Sequence, residues 1–584
     1  MIQKIRFNAA NFPFLFKDEE AEIELNLGSV KGSFWGENIS MVSAIVGKNG
    51  TGKTSILRSI KDSYIDIVND LGEEVSNSTF LKIYYSSNLS YENDQFEDNT
   101  VINLSQYSRL KRELRGDEVG VTEMLEIHNS EFYLDLIQLK KNEELNSLLL
   151  DLGLPYIEKY EISLLKLKED DWNISMDLRP YFDKLDQKKD EERVEREQRK
   201  IDELGLTGEE INHNEEYNET SYRIRLELEV INAVILKVKR ILERTGNKYL
   251  QEGFIDEQIS ELENITSYKE AFYWIIEKTY FKLSSSSNPL FLPFKEIKEF
   301  TDVLLSIVEE QQNFSNWTKF SVNSDVTYNF IIKYQNFIRA FKSSFTYDDY
   351  PILRLSTDIL LSNGERSMYE LFSQMYKLAI AISNGEFNFE NEFETYLILL
   401  DEADLSFHPT WKKRYISLLI KILPVIFKGK KIQIIFTTHD PLALSDVPKQ
   451  NVIFLDKNDE GQTIISEQNI ETFGANVHEL LADSFFISDG LMGDFAKEKI
   501  QDLVSFLTFD TELPVGLNNQ QPIESWDENS ALQLIEIIGE PVIQERLQSL
   551  FDIKFNISEK EDLESKINEL QQKLKELNEK NSDR

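Results

Sequence analysis

The chain has 584 residues, and 41% of them are hydrophobic, which is enough apolar material for roughly two to four packed domains. It contains no cysteine, so disulfides, thiolate metal sites and cysteine nucleophiles are excluded. Its 103 acidic and 64 basic residues give a formal net charge of −39, and this field opposes general binding to nucleic acid.

The N-terminus alternates apolar and polar positions, with Ile2, Ile5 and Phe7 on one face, instead of placing charges before an apolar run. It therefore does not resemble a signal peptide. No apolar run reaches the ~20 residues that a membrane-spanning helix needs. We expect a cytoplasmic protein without a membrane partner.

Residues 47–54 read Gly-Lys-Asn-Gly-Thr-Gly-Lys-Thr, a complete G-x-x-x-x-G-K-[ST] phosphate-binding loop between an apolar strand pattern and a helix pattern. Glycines let successive backbone N–H groups face the phosphates, while Lys53 reaches the β/γ-phosphates and Thr54 binds Mg²⁺. The motif predicts a nucleoside triphosphate with Mg²⁺. The predicted nucleotide-binding residues are Gly47, Lys48, Asn49, Gly50, Thr51, Gly52, Lys53, Thr54 and Ser55.

From about residue 100 to 345 the pattern becomes helical and highly charged, and we interpret it as a helical insertion. Its most charged stretch, residues 188–200, predicts either an exposed helix with opposite-sign pairs or a mobile link. Strand and helix patterns alternate again after about residue 350. These changes predict five segments, namely residues 1–95, 96–345, 346–460, 461–555 and 556–584.

A second group of polar residues follows two apolar strand patterns in the 346–460 segment. Residues 395–400 lead into Asp401 and Glu402, which places one carboxylate to hold Mg²⁺ and the next to deprotonate a water. His439 follows the strand pattern of residues 431–438. A helix pattern between the two strands predicts a β-α-β unit, so all three side chains should emerge at one sheet edge.

Upstream of that strand, residues 361–365 read Leu-Ser-Asn-Gly-Glu before a helix pattern. Ser362 stands at the position of a helix N-cap, and Gly364 permits close backbone approach. A helix N-terminus with a hydroxyl is a competent anion site, although this pattern alone is also typical of an ordinary turn.

The last segment begins with a possible capping box, Ser558 with Glu561. The apolar residues after it repeat every three or four positions over two heptads. The seam predicts either self-association or packing onto its own domain. Its members are Leu563, Ile567, Leu570, Leu574 and Leu577.

The four segments 47–54, 361–365, 397–402 and 439, in this order, resemble the nucleotide-binding domains of the ABC ATPase superfamily. The resemblance implies an α/β fold, with an ABC-type P-loop ATPase head built on a mixed sheet flanked by helices. It implies catalytic roles for Lys53, Glu402 and His439, with Mg²⁺ held by Thr54 and Asp401. It also implies a head-to-tail dimer around ATP, in which Asp404 lies at the dimer contact. The residues implied to complete the partner's site are Ser362, Asn363, Gly364 and Glu365.

Further segments are similar to one branch of this superfamily, the bacterial stand-alone ATPases related to the overcoming-lysogenisation-defect group. These are residues 401–411, 437–441, 444–448, 472–478 and 480–486, and the likeness covers about 200 residues in all. A subgroup with these features includes the ATPase subunit of Septu antiphage systems, some of which are associated with retrons. Two departures are visible, since Asp440 stands where serine is usual and Asp404 where glutamate is common.

Relatives in this group often carry a Toprim nuclease, but no E-G-x-x-E motif with a D-x-D strand end follows His439. The resemblance therefore implies an ATPase of an antiphage complex that regulates a separately encoded HNH-type nuclease and meets nucleic acid through that complex. Two alternatives stay open. One is an ATP-dependent DNA clamp in repair or recombination, and the other is an ATP-binding scaffold with negligible turnover.

Overall fold

We describe a computed structural model of the chain. It defines residues 2–8, 20–25, 34–69, 72–89, 99–114, 121–165, 177–249, 253–282, 288–311, 319–341, 345, 350–389, 392–466, 471–477, 480, 492–509, 521–523, 525–555, 566–567 and 569–573.

The first hundred residues form strands around one helix. The longest strand is fully apolar toward its end and leads directly into the phosphate-binding loop. The elements are β1 (Ile2–Asn8), β2 (Glu20–Glu24), β3 (Ile39–Gly47), α1 (Lys53–Lys61), β4 (Ile65–Asn69), β5 (Glu74–Val75), β6 (Phe80–Ser86) and β7 (Val101–Asn103).

Helices dominate the next 240 or so residues, as their hydrophobic periodicity predicts. The elements are α2 (Gln106–Leu114), α3 (Val121–Lys141), α4 (Glu143–Asp151), β8 (Tyr160–Leu164), α5 (Arg179–Leu204), α6 (Glu210–His213), α7 (Glu215–Tyr249), β9 (Gly253–Phe254), α8 (Ile259–Glu263), α9 (Tyr268–Lys278), β10 (Tyr280–Phe281), β11 (Leu290–Phe291), α10 (Phe294–Glu310), β12 (Lys319–Val322) and α11 (Ser324–Ala340).

Strands and helices alternate in the following part. The elements are β13 (Leu353–Thr357), α12 (Asn363–Ser383), β14 (Thr395–Asp401), α13 (Pro409–Lys412), α14 (Tyr415–Ile426), β15 (Lys431–Thr437), α15 (Pro441–Leu444), β16 (Val452–Lys457) and β17 (Thr463–Ile465). Further along the described part of the chain lie the helices α16 (Asp494–Thr508), α17 (Glu528–Ile537) and α18 (Pro541–Phe555).

A seven-stranded sheet carries the site, in the order β17-β16-β3-β15-β14-β6-β7. Strands β16, β3, β15, β14, β6 and β7 run parallel, and only β17 is antiparallel. A four-stranded antiparallel sheet, β2-β1-β4-β5, packs with α1 against the large sheet through a common apolar core. The predicted α/β fold class, with a mixed sheet flanked by helices, is confirmed.

The insertion is not purely helical, because β8 pairs with β12 on one side and with β13 on the other. Strand β13 lies beyond residue 345, so this small sheet crosses the predicted boundary between the insertion and the second half of the ATPase head. Pairing between strands almost 200 residues apart leaves no local pattern in the sequence. The five-segment division stays a prediction.

Residues 188–200 form part of α5, and the helix interpretation of this stretch is confirmed. Arg196 pairs with Glu192 one turn away and with Glu227 on α7, at 3.4 and 2.7 Å. A pair one turn apart, such as Arg196 with Glu192, stabilises an exposed helix by about 0.2–0.5 kcal/mol.

Helix α12 is joined to α2 and α3 by buried polar contacts. The carboxylate of Asp135 on α3 accepts hydrogen bonds from Gln374 at 2.6 Å and pairs with Lys377 at 3.1 Å. Arg109 on α2 donates to Glu370. Because each of these charges has a partner of opposite sign, the cluster fixes how α12 lies against the insertion.

The chain divides into two compact units, residues 1–486 and 487–584. The second unit has its own core, to which α16, α17 and α18 contribute apolar side chains such as Leu503, Ile535 and Phe551. Of the predicted C-terminal seam, Ile567 and Leu570 are described and exposed, and the other members lie outside the described residues. No helix in the described part of the chain is long and apolar enough to cross a membrane.

Aromatic packing between α10 and α11 supports the core of the insertion. The ring of Phe300 is fully buried and stacks on Phe337 and Tyr334, with centroids 4.7 and 5.3 Å apart. We expect Phe300→Ala to lower the opening free energy of α10 and α11 by about 3–5 kcal/mol, because it leaves a large cavity. Hydrogen exchange of those helices measures this. Phe291→Ala, at a ring that is 55% exposed, is the control and should change little.

Candidate functional site

The loop between β3 and α1 has the conformation that its glycines permit. Gly50 and Gly52 have φ of 79° and 88°, in the left-handed region that favours glycine. A Cβ at Gly47 would lie 2.4 Å from the carbonyl oxygen of Leu455, so no larger residue fits there. Lys53 curls back over the loop and donates from Nζ to the Gly47 and Lys48 carbonyls, at 2.8 and 3.1 Å.

Asp401, the last residue of β14, holds the centre of the site. Its Oδ1 accepts hydrogen bonds from Thr54 at 3.0 Å and Thr437 at 2.8 Å, and its Oδ2 accepts one from Tyr84 at 3.0 Å. Burial raises the pKa of Asp401 above its ordinary value, and these three hydroxyl donors oppose that shift. The adjacent hydroxyl and carboxylate oxygens of Thr54 and Asp401 are the hard ligands that Mg²⁺ prefers.

Glu402 has a left-handed backbone conformation, which is unusual for a residue other than glycine. Its φ is 48°, and its N–H donates to Thr437 Oγ1 at 2.9 Å. Its carboxylate accepts hydrogen bonds from His439 Nε2 at 3.0 Å and from Asn88 Nδ2 at 3.2 Å. A left-handed non-glycine residue is strained, and such strain is concentrated at functional sites.

The surroundings of Glu402 and Lys53 shift the pKa values of both side chains. The hydrogen bond from His439 holds the pKa of Glu402 below its ordinary value against the effect of burial, so this carboxylate is ionised at neutral pH. Burial lowers the pKa of Lys53, and the nearby charges of Glu402 and Asp401 oppose that shift.

These residues line one cleft with a volume of about 730 Å³, in the size range of small-molecule sites. The loop and α1 form one wall, Glu402 and His439 form the second, and the turn between β16 and β17 forms the third. The lining residues are Asn49, Gly50, Gly52, Lys53, Thr54, Ser55, Glu402, His439, Lys457, Glu460, Gly461 and Gln462.

The predicted signature lies at the start of α12. Ser362 caps the helix, and it forms a full capping box with Glu365: Ser362 Oγ accepts from the Glu365 N–H at 3.3 Å, and Glu365 Oε2 accepts from the Ser362 N–H at 2.8 Å. Gly364 is buried, and a Cβ there would lie 3.3 Å from backbone atoms of Ser406 and His408. Residues 362–365 are absent from the cleft wall formed by the described residues. Their role toward a second protomer stays a prediction.

Asp404 and Asp440 make contacts within the chain. Asp404 is 3% exposed and accepts a 2.7 Å hydrogen bond from Thr438, while the next residue, Leu405, is 54% exposed. Asp440 caps α15 through the N–H of Leu442, at 2.8 Å, and pairs with Lys412 at 2.9 Å. The dimer contact predicted for Asp404 is not tested by these contacts. The aspartate in place of serine at 440 retains the capping function.

The structure adds site residues that the sequence analysis missed. Tyr84 and Asn88 lie in and just after β6, which pairs with β14 in parallel so that Asp401 faces Ser86. Thr437 ends β15 and lies directly opposite Asp401 in the parallel pairing of β15 with β14. Their position at or just after the ends of apolar strand patterns could have identified Tyr84, Asn88 and Thr437 from the sequence. The residues of the turn after β16 could not be identified in this way, because short charged turns are common.

Comparisons with known proteins agree with the motifs. The chain matches no known family profile. It is 24% identical over 241 residues to a retron Vc95 probable ATPase of Vibrio cholerae serotype O1 biovar El Tor, covering 35% of this chain and 45% of that protein. It is 32% identical over 126 residues to the Septu protein PtuA of Bacillus mycoides (strain KBAB4), covering 22% and 16%. The Septu protein PtuA of Bacillus thuringiensis is 31% identical over 141 residues, covering 22% and 34%.

The chain therefore spans less than half the length of each of these relatives. The predicted resemblance to Septu- and retron-associated ATPases is confirmed.

The buried carboxylate of Asp401 costs stability in the absence of a cation. Since its folded pKa is raised, the unfolded chain ionises first as pH rises, and stability is lost between the unfolded and the folded pKa. We expect Asp401→Asn to raise the free energy of unfolding by about 1–2 kcal/mol at pH 8 without Mg²⁺. The gain should shrink at acid pH.

Thermal unfolding at several pH values measures this gain. Asp183→Asn, at an exposed aspartate of α5, is the matched control and should show no change. A destabilised Asp401→Asn variant would contradict the assignment of a strained buried charge.

Proposed function

We propose that the chain binds and hydrolyses ATP with Mg²⁺. The observation that carries the proposal is the convergence of Thr54, Glu402 and His439 on one cleft beside a complete phosphate-binding loop motif, with Asp401 directly behind Thr54. The relative from Vibrio cholerae is named a probable ATPase, and so is one from Escherichia coli that is 30% identical over 95 residues.

In this proposal Thr54 and Asp401 hold Mg²⁺, which would neutralise charge on the β- and γ-phosphates when bound. Lys53 leaves the loop carbonyls and binds the phosphates. Glu402, ionised at neutral pH and held from two sides, accepts the proton of the attacking water. His439 donates to one oxygen of that carboxylate and lines the cleft, and we assign it to contact the γ-phosphate.

We further propose that two copies close head to tail around ATP. Ile359, Leu360 and Leu405 flank the signature and the segment after Glu402, and they are 44%, 85% and 54% exposed. The contact of Gly364 with residues 406–408 brings these two segments side by side. Exposed apolar side chains grouped around the start of α12 support a protein contact at this surface.

The biological role we propose is antiphage defence, in which the ATPase regulates a separately encoded HNH-type nuclease and meets nucleic acid through that complex. The names of the Septu and retron relatives support the defence role. Co-purification of the chain with the products of neighbouring genes tests it. Recovery of the chain alone, with ATP-stimulated and salt-dependent DNA binding, would favour a DNA clamp instead.

The role of Glu402 as the base predicts the outcome of a conservative substitution. We expect Glu402→Gln to slow ATP hydrolysis at least 100-fold, because general-base catalysis contributes about 10²–10⁴. ATP binding should persist, and light scattering should show an ATP-dependent dimer. The control is Glu394→Gln, at an exposed glutamate just before the first residue of β14 and thus at the end of the strand away from the cleft. Hydrolysis at the wild-type rate in Glu402→Gln would show that another group accepts the proton.

Loss of His439 should change the pH dependence of hydrolysis. The wild-type pKa of Glu402 is depressed by His439, so the base stays ionised until pH falls through that low value. In His439→Ala the pKa rises, and the acidic limb of kcat/KM should move to higher pH. His213→Ala, at an exposed histidine of α6, should leave the limb in place. If the acidic limb of the kcat/KM profile did not move in His439→Ala, then His439 would not control the pKa of the base.

A further inference from the structure

The turn between β16 and β17 is a fixed wall of the nucleotide cleft. Strand β16 runs parallel to β3 with Leu455 opposite Gly47, so the residues after it emerge beside the phosphate-binding loop. The Thr463 hydroxyl donates to the Thr51 carbonyl at 2.9 Å, and Lys48 pairs with Asp456 at 3.4 Å. These two ties hold the turn against the loop.

Contacts within the turn orient one side chain toward a ligand. Asn458 Oδ1 accepts from the Gln462 N–H at 2.8 Å and from the Glu460 N–H at 3.1 Å. Asn458 Nδ2 donates to Gln462 Oε1 at 3.1 Å. The Gln462 amide oxygen is thus occupied, while its Nε2 has no hydrogen bond among the described residues and is left as a donor for a ligand in the cleft that Gln462 lines.

Lys457 supplies a positive charge on the same wall. Its Nζ lies above Gly50, since a Cβ built there would be 3.4 Å from it. Within the described part of the chain this ammonium forms no ion pair, although the protein carries a net charge of −39. A cation held over a phosphate-binding loop without a carboxylate is available to an anionic ligand.

The sheet order fixes which part of a nucleotide reaches this wall. Glu402 and His439, which mark the terminal phosphate, follow β14 and β15 on one side of β3. Strand β16 lies on the other side of β3. A nucleoside triphosphate whose terminal phosphate is at Glu402 therefore extends across the loop, and its nucleoside half lies toward the β16–β17 turn.

We propose that this turn recognises the nucleoside half of the substrate. Lys457 pairs with the phosphate nearest the ribose, and the amide N–H of Gln462 donates to an acceptor on the ribose or the base. This inference rests on the proposed function, and it assigns substrate recognition to residues outside every motif of the sequence.

Binding to the phosphate half and to the nucleoside half of the site can be distinguished with two ligands. Mg²⁺-ATP has both parts, and Mg²⁺-tripolyphosphate has the phosphates without the nucleoside. Calorimetry measures their binding to the full chain. We expect Gln462→Leu to weaken ATP binding about threefold to tenfold, the loss of one hydrogen bond, and to leave tripolyphosphate binding unchanged. Retained tripolyphosphate binding also shows that the variant is folded.

We expect Lys457→Met to weaken both ligands, with a loss that diminishes as salt is raised. The matched controls are Gln450→Leu, at an exposed glutamine, and Lys431→Met, at the opposite end of β15. If Gln462→Leu bound ATP with wild-type affinity, or if its affinities for ATP and tripolyphosphate fell equally, the turn would not recognise the nucleoside. If the wild-type chain bound neither ligand, the proposed function itself would fail.

Discussion

Three hydroxyl groups from three different elements converge on the buried carboxylate of Asp401. Thr54 belongs to α1, Tyr84 to β6 and Thr437 to β15. A buried anion with no partner would cost several kcal/mol, about the net stability of many domains, and these three hydrogen bonds offset part of that cost. The carboxylate of Asp401 therefore joins helix α1 to two strands of the central sheet, next in sequence to Glu402.

The polar residues at the ends of β14 and β15 were predictable because each follows a clear apolar strand pattern in the sequence. The runs that become β14 and β15 end at Asp401 and Thr437, and the right-handed crossover of parallel strands brings their ends together. The conformation of the loop between β3 and α1 was predictable because glycine tolerates its dihedral angles at Gly50 and Gly52 and the close approach of Leu455 to Gly47.

The supporting residues were not predictable, and the reason is physical. Tyr84 and Asn88 act on Asp401 and Glu402 because β6 pairs with β14, more than 300 positions away in the chain. Periodicity reports which face of a strand is buried and does not report its neighbour. The same limit hid the pairing of β8 with β13, which joins the insertion to the strand before the signature helix.

Gly364 has a mechanical consequence. With no side chain, it lets the first turn of α12 rest directly on the backbone of residues 406–408, shortly after Glu402. The same helix is tied to the insertion by Asp135, which contacts Gln374 and Lys377. A single helix therefore joins the insertion to the segment that follows Glu402, and any side chain at position 364 would push α12 away from that segment.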